Sequence, residues 1–248
     1  MHNAPGVTVG SIEGSGDVFL GANNLTVGTN HLSTTFSGLM QDGGILGGTG
    51  GSLTKVGQGT LKLTGSNTYS GGTFLEEGVL AIDNSEGLAT GTGLVQVDGG
   101  TLAGNGIISG AVTIGTGSGR GAFLAPKAVT DVQPTLTIQN VLTFNADGTY
   151  TCTFKAQQDR DRNRAKTDQV IANGVTINIG AKIELIGHIT GALSQGFALT
   201  LISNTSTNAI SGTFSNLPDG GIVTINGNNF QASYSGGDGN DLTLTVVP

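Results

Sequence analysis

Near the end of the chain, Gly236-Gly237-Asp238-Gly239-Asn240-Asp241-Leu242-Thr243-Leu244 fits the calcium-binding nonapeptide G-G-x-G-x-D-x-U-x at every fixed position. In arrays of that motif, carboxylates and backbone carbonyls of successive turns hold a hard cation that wants six or more oxygens. One copy supplies too few. The stretch is therefore expected to be a glycine turn leading into the last strand, and no metal site is assigned. Gly117-Ser118-Gly119-Arg120-Gly121-Ala122 satisfies the loose dinucleotide pattern G-x-G-x-x-A. Such a loop binds phosphate with the help of a helix N-terminus behind it, and no helical pattern follows here, so no cofactor is assigned.

Nucleophile chemistry fares no better. Cys152 alternates in phase with Tyr150 and Phe154, which points its thiol inward, away from any base that could activate it. His2, His31 and His188 sit in unrelated surroundings, and neither H-E-x-x-H nor G-x-S-x-G occurs. Polysaccharide-cleaving sites need converging acids, or acids beside a basic residue. Glu76, Glu77, Asp83, Glu86, Asp98 and Arg120 are candidates, but no spacing singles out a pair. Glu76-Glu77-Gly78 reads as a polar corner. The chain is not expected to be an enzyme, and no catalytic residue is assigned; a polysaccharide-degrading or carbohydrate-binding protein is the alternative.

The elements that carry these residues are short. The 248 residues include 44 Gly, no Trp, 9 Phe, 3 Tyr and one Cys, and only 11% are charged. So few large side chains cannot fill one thick core, whereas a stack of thin layers needs only aliphatics inside and glycine at the corners. A net charge of −7 with no sustained basic face argues against nucleic acid. No long apolar run predicts a membrane span. The single cysteine excludes an intramolecular disulfide framework. Met1 to Pro5 reads as an arbitrary start, so the chain is expected to be a piece of something longer.

Apolar residues alternate with polar ones at Leu61/Leu63, Leu80/Ile82, Val95/Val97, Val112/Ile114, Leu136/Ile138 and, near the end, Leu242/Leu244/Val246. About fifteen strands fit this pattern, with almost no helix. The expected fold is all-β: a right-handed parallel β-helix, or β-solenoid, with a C-terminal capping section. A β-helix followed by a separate β-sandwich is the alternative. Residues 1–154 are expected to form the β-helix and 155–169 a charged protruding loop, because Asp159-Arg160-Asp161-Arg162-Asn163-Arg164 cannot be a buried strand. Residues 170–248 are expected to continue or cap the stack, since an open end leaves unpaired edges.

The run from Gly50 to Thr73, with Leu53-Thr54-Lys55, Leu61-Lys62-Leu63 and Asn67-Thr68-Tyr69-Ser70-Gly71-Gly72, followed by Gly78 and Leu80, resembles the autotransporter-associated β-strand repeat, or passenger-associated transport repeat. Glycines, Lys55, Asn67 and Tyr69 carry the likeness over residues 50–82. Gly99 to Gly106 resembles sequence flanking such repeats, and Gly212 to Pro218 with Tyr234 to Leu244 is similar to the end of such passengers. The resemblance implies a secreted or surface-displayed β-helix whose repeat aids export and folding, acting as a stalk or adhesin scaffold. It also implies an outer-membrane barrel elsewhere in the full-length protein. Self-association or contact with a host or surface glycan are the partners to expect.

Overall fold

The computed structural model describes residues 6–45, 47–126, 134–159 and 162–248. His2, Arg160 and Asp161 lie outside them, as does the whole stretch between Pro126 and Pro134. The described residues contain 25 strands and no helix. Part of the excess over the fifteen expected lies in the two-residue strands Val18–Phe19, Met40–Gln41 and Ile107–Ile108, too brief to show an alternation.

The chain visits the same sheets in turn. Ser52–Lys55 lies in a first sheet and Thr60–Leu63 in a second; Thr73–Leu75 then returns to the first, Val79–Ile82 to the second, Val95–Val97 to the first and Gly100–Gly104 to the second. Successive visits pair in parallel, so each circuit of chain lies on the one before. On the third side the early circuits are joined by single backbone bonds, Thr68 N–H to Met40 O, Asn67 N–H to Leu88 O and Ala89 N–H to Ile107 O. Later circuits form a third sheet there, through Ile107–Ile108, Thr135–Ile138, Gln169–Ala172 and Ala198–Asn204.

Parallel register puts equivalent residues in columns. In the first sheet Leu25, Leu53, Thr73, Val95, Val112, Leu142 and Val175 follow one another; in the second, Leu61, Leu80, Leu102, Leu124, Tyr150 and Ile183 do. Both columns face inward and are buried. Each such aliphatic contributes about 1.5–3 kcal/mol on burial, which is how a chain poor in aromatics holds together. The corner column Gly57, Gly78 and Gly100 shows why glycine recurs. Their φ angles are +69°, +75° and +79°. A Cβ on Gly78 would stand 2.3 Å from Gly57 O, and one on Gly100 2.4 Å from Gly78 O. Left-handed backbone and close approach both demand the bare residue.

Parallel pairing runs without a break past residue 170. Val175–Ile177 lies on Leu142–Phe144, and Lys182–Thr190 on Gly148–Asp159. The third sheet then changes sense: Asp241–Val247 pairs antiparallel with Ala198–Asn204, Asn228–Gly236 with Asp241–Val247, and Ile222–Ile225 with Asn228–Gly236. The core becomes aromatic here, with Phe144 and Phe214 edge to face at 5.2 Å and Phe154 against Phe230 at 6.0 Å.

The segment 155–169 is not the loop expected from its charges. Gly148–Asp159 continues as one 12-residue strand and turns back into Arg162–Thr167, antiparallel to it. Charge is tolerated because the alternation persists: Phe154 and Ala156 are buried while Lys155 and Gln157 are exposed. The strand Val175–Ile177 ends before Ile179, which is 95% exposed although it continues the alternation of Val175 and Ile177.

Candidate functional site

The two glycine motifs are filled by the chain itself. At the nucleotide-like loop the N–H groups of Gly117 and Gly119 each donate to Asp147 at 2.6 Å, and Thr116 N–H donates at 3.3 Å. The backbone thus forms an anion-binding concavity, the feature a phosphate loop exploits. Its anion is a carboxylate 30 residues further along the chain. Partial burial works to raise the Asp147 carboxyl, but these bonds outweigh it and hold it below the usual carboxylate range.

The calcium-like tail is the tip of an antiparallel hairpin, with Gly236 opposite Asp241 and Gly239 N–H closing the turn on Gly236 O at 2.8 Å. Asp241 accepts a bond from Asn204 N–H at 2.8 Å, and Asn240 Nδ2 donates to Ser206 O. Burial pushes the Asp241 carboxyl up, Asn204 opposes this, and the charge of Asp238 adds to it. Calcium arrays of this motif stack successive parallel turns, which a hairpin tip does not offer. No group of three His, Cys, Asp or Glu placed to hold a metal occurs among the described residues.

Cys152 is fully buried, and its Sγ lies 3.2 Å from Asp168 O. Burial raises its thiol far above the ordinary value. Tyr150 is buried beside it and donates to Leu201 O at 2.9 Å. His31 accepts from Gln58 N–H at 3.1 Å on an exposed corner, and His188 is exposed on the second sheet. The acids do not converge. Glu76 and Glu77 occupy the corner between Thr73–Leu75 and Val79–Ile82, Asp83 pairs with Lys62, and Glu86, Asp98 and Arg120 stand exposed on other corners. An open groove of about 660 Å³ runs past Ser33, Thr35, Thr60 and Lys62, with Glu13 its one acidic lining residue.

The polar groups in the middle of the chain hold circuits together. Asn67 is fully buried; its Oδ1 accepts from Met40 N–H at 2.7 Å in the circuit before, and its Nδ2 donates to Ala89 O in the circuit after. Tyr69 is wholly inside, with its hydroxyl 2.5 Å from Thr73 Oγ1. Lys55 occupies an inward column between Val27 and Leu75 and is 1% exposed. Its ammonium donates to Val56 O, Gly57 O and Glu77 O at 2.8, 2.7 and 3.2 Å, capping a corner from within. Burial draws its pKa below that of a free lysine, and nearby Glu77 opposes that. The alternation of Leu53 and Lys55 was the only sequence sign that Lys55 faces inward.

Asn67, Tyr69 and Lys55 all fall within residues 53–82, which match the family described as passenger-associated-transport-repeat. This stretch is such a repeat. Over 98 residues, 40% of the chain, it is 38% identical to the adhesin BmaC autotransporter of Brucella suis biovar 1. Over 178 residues, 67% of the chain, it is 30% identical to an extracellular serine protease of Serratia marcescens. It spans 3% and 14% of the lengths of those two relatives. The repeat and these relatives place the chain among secreted or cell-surface proteins. No helix among the described residues is long and apolar enough to cross a membrane.

Proposed function

We propose that the chain is a non-enzymatic structural segment of a secreted or surface-displayed passenger: a right-handed β-helix that aids export and folding and serves as a stalk or adhesin scaffold. The observation that carries this reading is the location of the repeat. Residues 53–82 supply the glycine corner, the Asn67 bridge and the capped corner at Lys55, all of which fasten one circuit to the next. None of these groups is exposed and reactive. In this reading residues 1–154 form the coil and residues 170–248 continue and then cap it, with the antiparallel strands covering an edge on which further chains could otherwise pair. An outer-membrane barrel belongs elsewhere in the full-length protein.

The test is to place a graded series, Asn67→Ala, Gly78→Ala and Leu61→Ala, in the full-length protein. Unfolding free energy and the amount of passenger at the cell surface are then measured together. Surface amount should fall in the order of lost stability. Equal display across the series would overturn the export and folding role, and new reducing ends or unsaturated products from a polysaccharide panel would overturn the non-enzymatic one.

A further inference from the structure

Half of the ten basic residues of this acidic chain lie between residues 155 and 166, and three of them, Lys155, Arg164 and Lys166, share one face. Lys155 is directly opposite Lys166 on one side and His188 on the other, so that three strands place Lys166, Lys155 and His188 in a single row. The next row holds Arg164, Gln157 and Thr190. Lys155, Arg164, Lys166 and His188 are all exposed, while the opposite face carries buried Phe154 and Ala156. With strands about 4.8 Å apart, the row spans about 10 Å.

Lysines often guard an exposed strand edge, and Arg162–Thr167 is the edge strand of its sheet. That role accounts for Lys166 but not for Lys155, which sits on the central strand of the three. We propose that this face is a docking surface for an anionic polysaccharide bearing sulfate or carboxylate groups along its length. The charge complements such a polymer, the row matches a flexible chain of spaced anions, and the protein is secreted or surface-exposed, where acidic polysaccharides are met. The inference rests on that placement but not on the chain being a stalk, since the face would bind whether or not the repeat assists export.

The probe is heparin, with polygalacturonate as the carboxylate polymer and dextran as the neutral one, and binding to the purified chain is read by fluorescence anisotropy. Both acidic polymers should bind and dextran should not. Affinity should fall at least about tenfold between about 50 and 200 mM salt, because each contact releases counterions. K155Q/K166Q should weaken binding at least about tenfold, whereas K62Q on another part of the sheet should leave it within about twofold, with far-ultraviolet circular dichroism verifying that both variants are folded. Binding that is absent at low salt, or unchanged in K155Q/K166Q, overturns the proposal. Single-stranded DNA of equal charge binding as tightly as heparin would overturn the assignment to polysaccharide, and salt-sensitive self-association abolished by K155Q/K166Q would assign the face to a second copy of this chain instead.

Discussion

Replacing Asn67 with alanine should cost more stability than any other single polar deletion in the repeat. The side chain is fully buried and bridges three circuits, accepting from Met40 N–H and donating to Ala89 O. Met40 and Ala89 are themselves fully buried, so water cannot replace the lost partner without entering the core. Two stranded backbone groups at about 1–3 kcal/mol each, together with a small cavity, give a loss of about 3–5 kcal/mol. For a chain of this size that lowers the melting temperature by roughly 10–15 °C. Urea unfolding followed by circular dichroism measures it, with exposed Asn30→Ala as the control, expected to change stability by less than about 0.5 kcal/mol. A loss below about 1 kcal/mol for Asn67→Ala would show that the bridge is dispensable and that apolar columns alone join the circuits.

Cys152 should resist thiol reagents until the protein unfolds, since its sulfur is buried and its thiol held protonated; modification within seconds under native conditions would contradict the packing. Gly104→Ala should destabilise by more than about 3 kcal/mol or prevent folding, because φ is +110° there and a Cβ would fall 1.9 Å from Ile82 O; thermal unfolding of the variant decides. Asp42 receives bonds from Gly50 N–H, Gly51 N–H and Ser70. Burial acts to raise its carboxyl, but these bonds prevail and its pKa lies below that of an unfolded aspartate. The stability it provides is therefore complete above about pH 4 and is lost as pH falls through the depressed folded value. Asp42→Asn should give a shallower acid-unfolding curve, and an unchanged curve would refute the assignment.

Alternation made much of the fold legible beforehand. Leu61/Leu63 and Leu80/Ile82 read as half-buried strands, and the repeat from Gly50 to Leu80 named the kind of stack they build. What alternation cannot encode is direction: Leu242/Leu244/Val246 has the same pattern as Leu80/Ile82, yet one is antiparallel to its neighbours and the other parallel. Charge misled at residues 155–169, where lysine and arginine on an outward face concealed a hairpin with alanine and phenylalanine behind it. The partners of Asp147 and Asn67 were invisible because they lie 22 to 31 residues away along the chain and become neighbours only when circuits stack.

The Asp147 carboxylate in the Gly117–Gly119 loop has a further consequence. A cluster of backbone donors that could capture phosphate or sulfate from solution is plugged by a tethered aspartate, whose local concentration no free anion can match. Truncating the plug, as in Asp147→Gly, would turn a structural joint into an empty socket for inorganic anions, at a position the chain already shapes to receive one.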